Sequence, residues 1–525
     1  MEIIPQSVSA PTERVVPTFK RPLGPNELSY FLPSRAYGLN DIFTRITFFA
    51  PAELISPFRI QVAWAVTLLR HTLLASTIEM KPGDYDGAEF VYTPPIDAQD
   101  AFRQAGAFIH FHDSKCRRDL LDRVYNGPRM LPPASQGLSR LDIARFGQAP
   151  GEPDGVHEFQ LFFWTPHSIT QSPAAHRCLN GIFEILAGGH KNTTNPRSNE
   201  ELLKLLDEEW RTRWPNRTQE HPIPPSSETR MGLLGYEEPL KDDTPSKGGQ
   251  TFPRVVPSNT YGSIRTIPQQ VSFGNVVFAL SNLAWNRLAT SHPELSAPRS
   301  PPTVMYTAIG LRGLAPGLEL SPTPTCDPWD MSLTLGYHTV SLPVSAQESL
   351  PFLWKQARLA QAQMRDYTHD EPTSLRGRVL TTALARAERA KAWARIDDGF
   401  ASTPAVSSKS QGAPALLGIT HTGETKSVYR TSYYPSLKLI ETVGGSRKGP
   451  GGILLSSRTF LGQLNLWLAW DDAVRPPGLL EEYWGHLVDG MHQYVLGDVA
   501  LCGTAEEEDL IRGVTISRCT AKAKL

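Results

Sequence analysis

Cysteine is scarce in this chain. Five residues (Cys116, Cys178, Cys326, Cys502, Cys519) are scattered through 525 positions. An odd, widely spaced set excludes a disulfide framework and a zinc site, and fits a reducing compartment. Charge of one sign is also missing: 52 Lys and Arg stand against 53 Asp and Glu, a net charge of -1. No basic surplus is available to draw nucleic acid or an anionic membrane. No apolar run reaches the roughly 18 residues needed to span a bilayer, and no charged-then-apolar leader opens the chain. Gly377, Gly449 and Gly451-Gly452 follow no phosphate-loop spacing, so nucleotide hydrolysis has no support.

The chain carries a large apolar complement. Hydrophobic residues make up 40% and charged residues 20%, the balance of a globular protein with a sizeable core. The length calls for two or more domains. Residues 1–20, with scattered Pro and no periodicity, read as a mobile arm. Residues 21–214 and 251–500 each mix helical and strand patterns and read as two lobes. Residues 215–250, rich in Pro, Ser, Gly and charge, read as the crossover between them, and residues 501–525 as a tail. Within the first lobe, Phe43 to Phe49 and Glu89 to Tyr92 predict strands, Ala52 to Glu79 predicts a helical stretch, and Arg118 to Tyr125 a short helix. In the second, Ser263 to Pro268, Met331 to Leu342 and Tyr429 to Tyr433 predict strands among others, and Gly478 to Leu496 a final helix. The expected class is α/β with mixed sheets.

One stretch, Phe159 to Leu186, organises the rest. Phe159 to Trp164 is a bulky apolar run that predicts a buried strand. Ser172-Pro173 predicts a helix start with Ser172 as N-cap. Cys178, Leu179, Ile182, Phe183 and Leu186 then form one apolar face, stopped by Gly188-Gly189. His167 lies between strand and helix. An imidazole there can move a proton near neutral pH, held by the strand and close to the free N–H groups of a helical turn. A merely local hydrogen-bonding role is the bland alternative.

These residues resemble the HxxxD acyltransferases, which include chloramphenicol acetyltransferase, peptide-synthetase condensation domains and BAHD enzymes. They most resemble fungal BAHD-like transferases of secondary metabolism. His167 falls where the motif His falls. The opening Arg21-Pro-Leu-Gly-Pro-Asn-Glu, Phe252-Pro-Arg254, Arg265-Thr-Ile267, Met305 to Gly313, Leu335 to Pro343 and Phe352 to Arg358 follow in family order. The resemblance covers about Arg21 to Leu496. It implies two chloramphenicol-acetyltransferase-like lobes around a tunnel, no bound cofactor, acyl-CoA as cosubstrate, and a small apolar natural product as acceptor, in a monomer. His167 would be the general base. Thr420, in Ile419-Thr-His-Thr-Gly423, would supply the oxyanion donor; a plain strand residue is the alternative. Trp164, Arg312, Tyr337, His338 and His421 are candidate tunnel-lining residues, with packing or an ion pair as the alternative roles of His338 and Arg312.

The motif is altered. Its Asp is Gln171 and the following Gly is Ser172, so both can support the loop only without charge. The plant-type Asp-Phe-Gly-Trp-Gly is absent from Lys438 to Gly452. An acyl-CoA-dependent acyltransferase is the leading expectation. A CoA-independent cyclisation, elimination or isomerisation using His167 as acid or base is the second, and a non-catalytic binding protein the third. His110, His112 and Asp113 share a strand but lack a further metal ligand, and His176 is expected at the surface or core edge. The expected location is cytoplasmic. Ala523-Lys524-Leu525 resembles a peroxisomal import tripeptide, which makes the peroxisome the alternative.

Overall fold

The computed structural model describes residues 17–113, 127–188, 195–214, 222–233, 253–258, 271–295, 302–314, 318, 331–345, 348–368, 372–401, 416–448, 452–471 and 476–496. Several expectations lie outside these residues: the arm over residues 1–16, the helix at 118–125, most of the 215–250 crossover and the strand at 263–268. So do Cys116, Cys326, Cys502, Cys519, Gly449, Gly451 and the terminal Ala523-Lys524-Leu525.

The first half runs β1 (Phe19–Pro22), α1 (Pro25–Tyr37), β2 (Asp41–Pro51), α2 (Pro57–Arg70), β3 (Thr77–Glu79), β4 (Glu89–Tyr92), α3 (Ala98–Gly106), β5 (Ile109–Asp113), β6 (Arg140–Gln148), β7 (Val156–Pro166), α4 (Ser172–Ala187) and α5 (Asn199–Arg213). The second half runs β8 (Pro253–Ser258), α6 (Phe273–Ser291), β9 (Thr303–Gly310), β10 (Leu335–Leu342), α7 (Leu350–Thr368), α8 (Pro372–Asp397), β11 (Leu417–Glu424), β12 (Lys438–Ser446), β13 (Ile453–Phe460), β14 (Gln463–Asp471) and α9 (Leu479–Met491).

Two mixed sheets form the lobes. The first is ordered β12-β2-β7-β6-β5 and the second β10-β9-β11-β13-β14-β8; β1-β4-β3 make a small third sheet. Sheet membership does not follow the two halves of the chain, because β12 pairs antiparallel with β2, Ser446 opposite Ile42. On β7, Phe159, Leu161 and Phe163 turn into the first core with α2 and α4, where full burial of such a side chain contributes roughly 1.5–3 kcal/mol. Phe162 and Trp164 turn the other way, onto Phe43, Val443, and Trp467 and Ala469 of the second sheet. That apolar seam joins the lobes. The second core lies between the second sheet and α6, α7 and α9.

Four expectations are corrected. Ala52 to Glu79 is not one helix. Ser56 is extended (ψ 152°) ahead of Pro57, as a residue before proline must be, so α2 starts at Pro57 and a single turn at Thr72–Ala75 leads into β3. The expected strand at Tyr429 to Tyr433 is a pair of short turns, Lys426–Val428 and Thr431–Tyr433. The Arg430 N–H donates to Asn180 Oδ1 (2.9 Å), a side-chain bond from α4 that replaces a strand ladder. β10 begins at Leu335, not Met331, since the preceding residues fold against the His167 loop. The N-cap of α4 is Gln171, not Ser172: its carbonyl already accepts the N–H of Ala174 (3.0 Å) and Ala175 (3.1 Å).

Candidate active site

His167 follows the last residue of β7 in a tight turn closed by the Ile169 N–H on the Pro166 carbonyl (3.2 Å). Ile169 is fully buried and anchors the turn in the first core. The His167 ring is held twice more. Its Nδ1 lies 2.8 Å from the Thr170 carbonyl, and its face stacks on Tyr30 of α1, centroids 4.4 Å apart. A carbonyl only accepts, so Nδ1 carries the proton and Nε2 keeps its lone pair. Burial, then the nearby Lys448 cation, pushes the imidazole pKa down to about 4; the Thr170 carbonyl opposes this and Arg386 adds to it. His167 is therefore neutral at pH 7.

Gln171 is 4% exposed. Its Nε2 donates to Thr334 Oγ1 (3.0 Å). The segment bearing Thr334 is itself held from behind: the Leu311 N–H donates to the Thr334 carbonyl (3.0 Å), and the Arg312 guanidinium donates to Ser332 Oγ (3.0 Å). Gln171 and Thr334 thus form a neutral pair. Ser172 is the first helical residue, half-buried.

Strand alternation sorts the remaining candidates. On β10, Tyr337 turns toward Tyr30, hydroxyl to hydroxyl. His338 turns to the opposite face, 4.7 Å from Tyr367 of α7. On β11, Ile419 belongs to the second core, so Thr420 shares the other face with Gly418. There a Cβ on Gly418 would stand 2.5 Å from Tyr306 Cζ, so only glycine admits the tyrosine ring. His421 returns to the core side, with Nδ1 2.9 Å from Ser457 Oγ and its ring against Phe273. Trp164 lies in the seam between lobes, 3% exposed. Tyr337 and Thr420 are thus on the second sheet's inward face, while His338 and His421 are turned away from it.

His176 is corrected from the surface or core edge to the core. It is fully buried, with Nδ1 2.6 Å from the Tyr429 hydroxyl and Nε2 2.8 Å from the Arg458 guanidinium. Burial, then Arg458, holds it well below the usual imidazole range. His112 pairs with Asp142 (2.6 Å), which Arg140 also binds. Among the described residues no three His, Cys, Asp or Glu side chains are placed to hold a metal, and no helix is long and apolar enough to cross a membrane.

Three residues at the site escaped the sequence reading: Tyr30, Arg386 and Lys448. Arg386 of α8 stands over both tyrosines, 5.0 Å from the Tyr30 centroid and 4.1 Å from that of Tyr337. Lys448 follows β12. The neighbouring Arg447 N–H and carbonyl bond the backbone of Asp41 and Asn40 (3.2 and 2.9 Å). Asp41 in turn pairs with Pro166, which brings Lys448 beside the end of β7. Burial pulls its ammonium down to about 7.

No family profile matches the chain, and no curated protein matches it. Solved structures do. TRI3 trichothecene 15-O-acetyltransferase from Fusarium sporotrichioides aligns with a TM-score of 0.60 at 11% identity, over 90% of this chain and 94% of that one. Polyketide synthase associated protein 5 from Mycobacterium tuberculosis gives 0.50 at 15% identity, over 90% and 98%. The condensation domain of the Monacolin K polyketide synthase MokA gives 0.50 at 11% identity, over 91% and 99%. At such identities the likeness is one of fold: this chain has the two-lobed chloramphenicol-acetyltransferase-like fold.

Proposed function

We propose that this protein is an acyltransferase that moves an acyl group from acyl-CoA to a hydroxyl or amine of a small secondary metabolite. The observation that carries the reading is the state of His167: neutral, fixed by Thr170 and Tyr30, and with Nε2 as the free acceptor. A bound alcohol does not ionise at neutral pH, so its proton must leave as its oxygen attacks. Nε2 takes that proton while the oxygen bonds to the thioester carbonyl carbon. The Thr420 hydroxyl donates to the oxyanion. Collapse breaks the carbon–sulfur bond, and the thiolate recovers the proton from Nε2. Gln171, through Thr334, holds the loop that aims the ring. The fold shared with TRI3, an acetyltransferase, supports this reading.

A CoA-independent reaction is the second reading, favoured by the neutral Gln171–Thr334 pair at the motif's charged position. Mass spectrometry of the purified protein with extract of its source organism, with and without acetyl-CoA and longer acyl-CoAs, separates the two. A product heavier by an acyl unit, formed only with thioester, is expected. A product isomeric with its precursor, or lighter by water, formed without thioester would replace the transferase reading.

A further inference from the structure

The two charged side chains that act most on His167, Lys448 and Arg386, are both cations. Arg386 is half-buried, and its Nε is enclosed without a hydrogen-bond partner. The groups that act on its charge are the three hydroxyls of Tyr337, Tyr30 and Tyr306. Lys448 is likewise half-buried, and burial alone shifts it. Among the described residues no carboxylate hydrogen-bonds or ion-pairs with Arg386 or Lys448. Other enclosed cations have hydrogen-bonding partners: Arg21 has Glu27, Arg129 has Asp41 and Arg70 has Glu209, while Arg59 is held by the carbonyls of Leu186 and Arg197. Two enclosed cations without a counter-ion are costly unless something else brings the negative charge.

We propose that the site at His167 takes a substrate bearing a carboxylate, held by Arg386 and Lys448 beside the reacting group. This rests on the acyl-transfer reading and names its substrate class. The guanidinium fork suits a planar carboxylate. Tyr30 touches both the His167 ring and the Arg386 guanidinium, so the anion sits about one ring away from the reacting nitrogen. The phosphates of coenzyme A lie a full pantetheine arm from the thioester and do not reach that place. The carboxylate therefore belongs either to the acceptor or to the far end of a dicarboxylic acyl group. It also serves the chemistry. His167 becomes cationic when it takes the acceptor's proton, next to two cations, and the bound carboxylate offsets that charge.

Isothermal titration calorimetry of the full-length protein tests this with two pairs of probes. The acceptor pair is 3-hydroxybenzoate and 3-hydroxybenzamide; the donor pair is malonyl-CoA and acetyl-CoA. In one pair the carboxylate is expected to bind about ten-fold or more tightly than its neutral counterpart, and Arg386→Gln should erase the difference. Discrimination in the first pair assigns the carboxylate to the acceptor, and in the second to the acyl group. Lys448→Gln, at a strand end, provides a second variant should Arg386→Gln fail to fold by circular dichroism; it should lower the preference several-fold. Equal binding within both pairs, or a preference that survives both substitutions, overturns the proposal. The same titrations on His167→Ala separate it from the catalytic reading. Carboxylate binding without any transferase activity leaves this inference standing and removes that reading, whereas transfer without carboxylate preference does the reverse.

Discussion

The imidazole of His167 and the phenol of Tyr30 stack at 4.4 Å with an interplanar angle of 28°, joining a loop of the first sheet to a helix that begins at Pro25. Tyr30 covers one face of that ring. Tyr30→Ala should let water reach His167 and return its pKa from about 4 toward the ordinary value near 6.5. On the acyl-transfer reading the neutral ring is the active form, so activity should be lost as pH falls through this pKa. The acid limb of the kcat/KM profile should therefore move upward by one to two pH units, on the order expected for relieved burial. Tyr30→Phe keeps the stack and should leave the limb in place. A profile unmoved in Tyr30→Ala would detach the stack from catalysis.

His167→Ala should lower turnover by about 10²–10⁴-fold, the span of general base catalysis, while the chain stays folded. Single-turnover assays alongside calorimetry check both halves. Undiminished turnover removes His167 from the mechanism.

Gln171→Asp places a carboxylate opposite the Thr334 hydroxyl in a site 4% exposed. The charge costs roughly 3–5 kcal/mol if it stays unpaired, so the aspartate pKa is raised in the folded state. The chain should still fold. The sign follows from linkage: the deficit is small where the carboxyl is protonated and grows as pH rises through the folded pKa. Urea denaturation at pH 5 and pH 8 should show the larger loss at pH 8. Equal stability at both would mean that a cation reaches position 171.

His71 is 1% exposed, and neither ring nitrogen has a hydrogen-bond partner. Burial, then Arg70, pushes its pKa down to about 3. The unfolded chain binds a proton below about 6.5 that the folded chain refuses. Stability is therefore complete above that pH and declines as pH falls toward the folded value. His71→Leu removes two unsatisfied atoms and should stabilise by about 1–2 kcal/mol. It should also flatten the decline between pH 6.5 and 4, with a remaining slope from His167 and His176. Melting curves across that range measure it; an unchanged slope would assign the acid lability to other groups.

His176→Ala removes the clasp between α4, the turn at Tyr429 and Arg458 of β13. The loss should be roughly 2–4 kcal/mol, combining a cavity with stranded polar groups. Equilibrium denaturation would show it, and a loss below half a unit would mean that water replaces the ring.

Much of this was legible in the sequence because it is local. The apolar run at Phe159 to Trp164 and the three- and four-residue spacing after Ser172 place strand and helix within three residues. Ser-Pro was read one position late because the cue names residue types, whereas the cap belongs to the carbonyl that accepts the first bond. Tyr429 to Tyr433 has strand-like composition, yet Asn180 claims its backbone, and no local pattern reports so distant a partner. Tyr30 and Arg386 lie far from His167 along the chain. Arg386 belongs to a helix dotted with arginines, Arg376, Arg378, Arg389 and Arg395 among them, and nothing in that pattern says which one turns inward. Lys448 was passed over inside a glycine-rich stretch read only as a damaged motif.

The strand lent across the lobes has a consequence for how the protein is made. During synthesis the first sheet emerges with β2 lacking one neighbour, since β12 is encoded about 400 residues later. Until the ribosome has delivered Lys438 to Ser446, an almost wholly buried strand presents an open edge, the kind of surface on which nascent chains pair wrongly. Closing so long a loop is slow more than it is costly. The interval before it closes is when a chaperone would meet this chain. A chain cut short before Lys438 would never seal that edge.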